Sequence, residues 1–122
     1  MSASLSRAAL VVTDHPGTTM LETMAWDVPA LHFWDDRLWE SRSSALEAFE
    51  PLRRAALIHS TPESAARQVA AVRRDPSAWW DAPGTREARR EFVRRYARVD
   101  PAWAAKWAAV LRDVSTRAKI RR

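Results

Sequence analysis

The chain has 122 residues, 47% of them hydrophobic, and a formal net charge of +5. That is one domain's worth of protein with enough apolar content to bury a core, which argues against overall disorder. The absence of Cys excludes a disulfide framework, a thiolate nucleophile and any Cys-based metal site, and no apolar run approaches the roughly 20 residues that span a bilayer. A soluble, cytoplasmic chain is expected.

Ala8-Ala9-Leu10-Val11-Val12-Thr13 is a short apolar run that stops at the turn formers Asp14-His15-Pro16-Gly17, the pattern of a buried strand ending in a loop. Thr19 to Trp26 then carries Met20, Leu21, Met24 and Ala25 at helical spacing, with Thr19 placed as N-cap. Val28 to Phe33 reads as a second strand, opened by Pro29. Strand, loop, helix and strand form a βαβ unit, which predicts parallel strands.

Trp34 to Arg42 is polar and aromatic without a period and reads as a loop. Ser43 to Arg54 is helical in pattern, with Pro51 expected to end or interrupt it. Leu57-Ile58-His59 is a minimal third strand, and Ser60-Thr61-Pro62-Glu63 starts a helix expected to reach about Asp75. Asp75-Pro76 and Asp100-Pro101 repeat that start signal, so the rest is mostly helical. After Asp100, Trp103, Trp107, Val110, Leu111 and Val114 lie on one stripe, a pattern expected to pack as core.

Most Arg and Lys fall after Thr61, whereas Asp14, Glu22, Asp27, Asp35, Asp36 and Glu40 crowd the first half. A basic half attracts nucleic acid, anionic lipid or nucleotide phosphate, although a solvated helix face explains it as well. The tail lacks the clustered aromatic and glycine signatures of RNA or DNA binding, so nucleic acid is not an expected partner.

The chemistry concentrates in Thr13-Asp14-His15-Pro16-Gly17-Thr18-Thr19-Met20-Leu21-Glu22. An open parallel sheet binds ligands at the carboxyl ends of its strands, and free amides at a helix start suit a diphosphate. Gly17 allows close backbone approach, Thr18 and Thr19 can donate to phosphate oxygens, and Glu22 can reach ribose hydroxyls. Thr19 and Glu22 also match a Thr-x-x-Glu capping box, which needs no ligand. No Gly-x-Gly-x-x-Gly or phosphate-loop Lys is present.

The stretch Leu10 to Glu22, followed by Asp27-Val28-Pro29-Ala30 and Phe33-Trp34-Asp35, resembles the C-terminal donor domain of GT-B-fold enzymes. The closest likeness is to a family of bacterial surface-carbohydrate transferases, in which the Pro-Gly-Thr-Thr loop, Trp39-Glu40, the Thr61 to Ala65 helix start and the Trp79-Trp80 pair recur. The resemblance implies that Gly17, Thr18 and Thr19 hold donor phosphates, that Glu22 holds the ribose, and that Trp34, Asp35 and Glu40 close over the donor. His15 departs from that pattern, standing where many relatives have a small residue, and a phosphate contact is its expected role.

The resemblance implies an α/β fold: residues 1–75 as part of a Rossmann-like nucleotide-sugar-binding domain, with residues 76–122 as a helical extension packing on it. It implies a glycosyltransferase for cell-surface polysaccharide, with the nucleotide sugar as substrate, no cofactor and a glycan as acceptor. The N-terminal GT-B half is expected from another segment or a partner chain, leaving this chain incomplete and inactive alone. The alternative is a non-catalytic binding module whose basic helical tail contacts nucleic acid or a membrane surface; peripheral membrane association suits either reading.

His32 lies inside the apolar second strand and reads as a hydrogen-bonded core histidine, and His59 as a structural residue at a strand end. Three scattered His give no zinc-ligand spacing. Ser41, Ser43 and Ser44 have no His and acid arrangement to activate them, so no catalytic residue is assigned. Trp79, Trp80 and Trp103 are expected to pack rather than to stack on a sugar.

Overall fold

The computed structural model describes residues 5–120. A short 3-10 turn, Leu5–Arg7, precedes strand β1 (Val11–Thr13), helix α1 (Thr18–Ala25), strand β2 (Ala30–Phe33), helix α2 (Ser43–Arg54) and strand β3 (Ile58–His59). Helices α3 (Pro62–Val72), α4 (Pro76–Trp80), α5 (Pro83–Tyr96) and α6 (Trp103–Ile120) follow. The three strands form a parallel sheet in the order β1-β2-β3, with Val11 opposite Ala30, Thr13 opposite His32, and His32 opposite Ile58. The architecture is therefore α/β and Rossmann-like.

A parallel sheet must be covered on both faces, and the middle strand shows it: Ala30, Leu31 and His32 are all fully buried. One face packs against α1, α2 and α5 through Met20, Met24, Trp34, Phe49, Leu52 and Phe92. On the other, Val12 and Phe33 share an apolar groove with Ala65 and Val69 of α3.

Local chemistry sets the helix ends. Thr61 Oγ1 accepts from the Ser64 amide at 3.2 Å with Pro62 in the first turn, and Asp75 Oδ1 accepts from the Ala78 amide at 2.9 Å ahead of Pro76. Helix α3 stops at Val72, short of the expected Asp75.

Three expectations are corrected. Helix α1 is capped by Gly17, not Thr19, and carries no side-chain cap bond, so the Thr19–Glu22 capping box does not form. Pro51 neither ends nor interrupts α2. The buried side chains of Phe49 and Leu52 flank it and hold the last turn on the core, offsetting the lost amide bond. The α6 stripe is not core: Trp103 is 62% exposed, Trp107 58% and Leu111 60%.

The turn from α1 into β2 is anchored by Asp27, which sits at φ 57°, a left-handed conformation that Asp tolerates better than most residues. Its Oδ1 accepts from Trp80 Nε1 at 2.9 Å and pairs with Arg89 Nη1. Arg89, 6% exposed, also donates to the Trp80 carbonyl at 2.8 Å and lies 3.8 Å over the Trp80 ring. Burial pushes the Asp27 carboxyl up, but the hydrogen bonds from Trp80 and Arg89 outweigh it and hold the group below its ordinary 3.8.

Asp27→Ala leaves the buried guanidinium without its anion. Losing one partner of a fully buried pair costs about 3–5 kcal/mol. Because the Asp27 side chain is 71% exposed, water offsets part of this, and about 2 kcal/mol is expected in denaturant melts. Asp81→Ala, which removes a 3.6 Å surface pair with Arg86, should cost under about 0.5 kcal/mol. Equal costs for the two substitutions would contradict this account.

Candidate functional site

The turn residues 14–17 leave β1 at its carboxyl end and lead into α1. The Met20 amide bonds back to the Gly17 carbonyl at 3.1 Å. Among the described residues, the amides of Thr18 and Thr19 have no protein acceptor. Two donors and the positive end of α1 thus meet at one point, an arrangement that favours an anion by about 0.3–1 kcal/mol at an exposed helix start.

Gly17 adopts φ −100° and ψ −172°, which any residue can reach, so backbone freedom does not explain the glycine. The reason is His15: a Cβ at Gly17 would fall 2.4 Å from His15 Nε2 and 2.6 Å from its Cδ2. The ring lies on the glycine. Its Nδ1 donates to Asp14 Oδ1 at 2.9 Å, and that bond lowers the Asp14 carboxyl below its ordinary value. The outer face of the ring stacks on Trp39, with centroids 5.8 Å apart and planes at 28°. His15 therefore joins the β1–α1 loop to the loop after β2, and its Nε2 lies beside Gly17.

The structure distributes the predicted site residues unevenly. Gly17, Thr18, Thr19 and His15 lie together, and Glu22 follows one turn along α1 with no side-chain hydrogen bond among the described residues. Trp34 sits in the core at 2% exposure, edge-on to Phe49 at 5.4 Å, with Nε1 donating to Asp36 at 2.9 Å. Asp35 takes a bidentate bond from Arg37, the shortest arm 2.6 Å, and those bonds pull its carboxyl down to about 2. Glu40 is exposed in the loop.

Sequence reasoning missed how the second loop is tethered. Arg53 of α2 donates to both Asp36 oxygens, at 2.8 and 2.9 Å, and to Ser60 Oγ at 2.8 Å. Its guanidinium lies 5.6 Å from the Trp34 ring centroid. Trp39 itself stood in the Trp-Glu motif, but a stack on a residue 24 positions earlier depends on the loop path, which no local pattern reports.

Behind Pro16, Gly17 and Thr18 opens a cavity of about 420 Å³, lined otherwise by Met20, Leu21, Ala45, Ala48, Phe49, Phe92 and Tyr96. It is mostly apolar and adjoins the free amides. The other two histidines lie elsewhere. His32 is fully buried with Nδ1 hydrogen-bonded to Thr13 Oγ1 at 2.7 Å, and His59 bonds Ser64 Oγ at 2.8 Å and the Ala56 carbonyl at 3.0 Å.

The model of a transferase family, the LIC12162 family, matches residues 1–111. The chain belongs to the LIC12162 family of transferases. No curated protein and no solved structure matches it. The family match takes in both loops of this LIC12162 transferase, the helix that starts at Gly17 and the first half of α6.

Beneath the site, burial pushes the His32 imidazole down from its ordinary 6.5 to about 4, and its Nε2 has no partner among the described residues. The native state holds it neutral, so between those values the unfolded chain binds the extra proton. Stability is complete above about pH 6.5 and falls as pH drops toward 4, by about 3 kcal/mol for a shift of this size. Denaturant melts across that window should show the loss, and His32→Asn should remove most of the slope. An unchanged slope in the variant would assign the pH dependence to other groups.

Proposed function

We propose that this chain is the donor-binding part of a GT-B-like glycosyltransferase, which takes a sugar from an activated nucleotide for assembly of a cell-surface glycan in the cytoplasm. What supports the reading is one juxtaposition: His15 stacks on Trp39 beside Gly17, at a helix start whose Thr18 and Thr19 amides lack protein acceptors. Thr19 and Glu22 are not engaged in a capping box, which leaves both side chains available.

In this reading the donor diphosphate lies across the Thr18 and Thr19 amides, with their hydroxyls on its oxygens and the His15 ring, protonated on both nitrogens when the anion is bound, donating through Nε2. Glu22 accepts from the ribose hydroxyls. The apolar cavity beside Thr18 takes one flat end of the donor. Trp39 and Glu40 border the sugar side, whereas Trp34 and Asp35 act through packing and the Arg37 pair. Transfer breaks the bond between the anomeric carbon and the diphosphate as an acceptor hydroxyl attacks. Negative charge then grows on the leaving diphosphate, where fixed amides and the helix dipole stabilise it without reorganising. The acceptor site and catalytic base come from an N-terminal GT-B half, in a longer chain or a partner.

Calorimetric titration with uridine, cytidine, guanosine and thymidine diphosphate sugars tests this. Gly17→Val, which displaces the His15 ring and blocks close approach, should abolish binding. Glu22→Gln should weaken it by about 1.5–3 kcal/mol, the cost of losing a hydrogen bond to a charged group, while leaving the melting temperature unchanged. A parent that binds none of these donors, or variants that bind like the parent, would contradict the assignment.

A further inference from the structure

We propose that α6 is an in-plane anchor for an anionic lipid surface. The helix is 18 residues long, and Trp103, Trp107, Val110, Leu111 and Val114 recur along it at three- and four-residue steps, all more than half exposed. A helix that folds with its apolar stripe in water has an unfilled partner position. No helix of the described residues is long and apolar enough to cross a membrane, so a lipid contact here must lie along the surface.

Charge selects the occupant. Residues 100–122 hold six Lys and Arg against two Asp, which makes this segment strongly basic. Lys106 and Arg117 fall along one border of the stripe by helical spacing, in surface ion pairs with Asp100 and Asp113 that a lipid phosphate would exchange for, and Arg112 lies on the opposite face. Cations bordering an indole-bearing apolar face match the headgroup and acyl layers of an anionic leaflet, where Trp sits at the interface and Lys or Arg reach the phosphates. A second copy of the chain suits the surface less well, because a twofold pairing of these stripes would bring like charges together. Five of the six cations, from Arg112 onward, lie beyond the residues that the family model matches. The inference does not rest on the donor reading and can fail separately from it.

Flotation of the chain with phosphatidylcholine vesicles, with and without phosphatidylglycerol, tests the proposal. The chain should float with the anionic vesicles, bind neutral ones at least tenfold more weakly, and release as salt rises. The double substitution Trp103→Ala and Trp107→Ala should lower partitioning about tenfold or more, as should Lys106→Gln and Arg117→Gln together. Melting curves should stay near the parent's, since these side chains lie outside the core. Brominated lipids should quench the parent's tryptophan fluorescence and quench the double variant less.

Failure of the parent to float with anionic vesicles would overturn the proposal, as would equal binding to neutral ones or variants that float like the parent. Sedimentation showing a dimer that Trp107→Ala dissociates, with vesicles unbound, would make the stripe a contact between copies instead.

Discussion

A single buried guanidinium ties the turn before β2 to helices α4 and α5. Arg89 projects from α5 into the core, where a cation is costly unless an anion and hydrogen-bond acceptors meet it. Asp27 and the Trp80 carbonyl take its two terminal nitrogens, while Nε has no partner among the described residues. Asp27 belongs to the turn that launches β2, and Trp80 ends α4, so one cluster fixes the end of α1, the start of the central strand and both following helices. Once α5 is fixed there, Phe92 and Tyr96 reach the cavity behind Gly17. The wall of the candidate site thus depends on an ion pair at the far end of α1.

The loop at that site is organised by its own side chains to a degree that bears on its chemistry. Asp14 orients the His15 ring, Gly17 leaves room for it and Trp39 covers it. An imidazole bonded through Nδ1, edge-on to Gly17 and stacked on one face has less rotamer freedom to lose when a ligand arrives, which lowers the ordering cost of a contact through Nε2. The second loop is held as firmly at its base, where Asp36 ties it to Arg53 at the end of α2. Preorganised donors of this kind are what stabilisation of a leaving diphosphate requires.

Much of the architecture was legible in local pattern. The apolar run at Val11, the Asp-His-Pro-Gly turn and the Thr61-Pro62 and Asp75-Pro76 starts each carry their own physical signal, and the parallel βαβ order follows from them. The failures have separate causes. Thr19 matched a cap by spacing, but the chain entered the helix two residues earlier at Gly17. Pro51 should break a helix in isolation, yet the burial of Leu52 carries α2 past it. The Trp103 stripe has a core pattern, but none of the described residues covers it. The candidate-site residues from His15 to Glu22 lie together because they are contiguous. Trp34 follows directly on β2, and its burial edge-on against Phe49 is a tertiary contact that no local pattern reports.

The central claim is that the Thr18 and Thr19 amides receive the diphosphate of an activated sugar. Amide shifts of an isotopically labelled chain during addition of nucleoside diphosphates test this most directly. The account predicts saturable shifts concentrated at Gly17, Thr18, Thr19 and His15, with the largest at the two free amides and a smaller response at Trp39. Shifts confined to the arginines of α5, or a titration that leaves Thr18 and Thr19 unmoved, would contradict it.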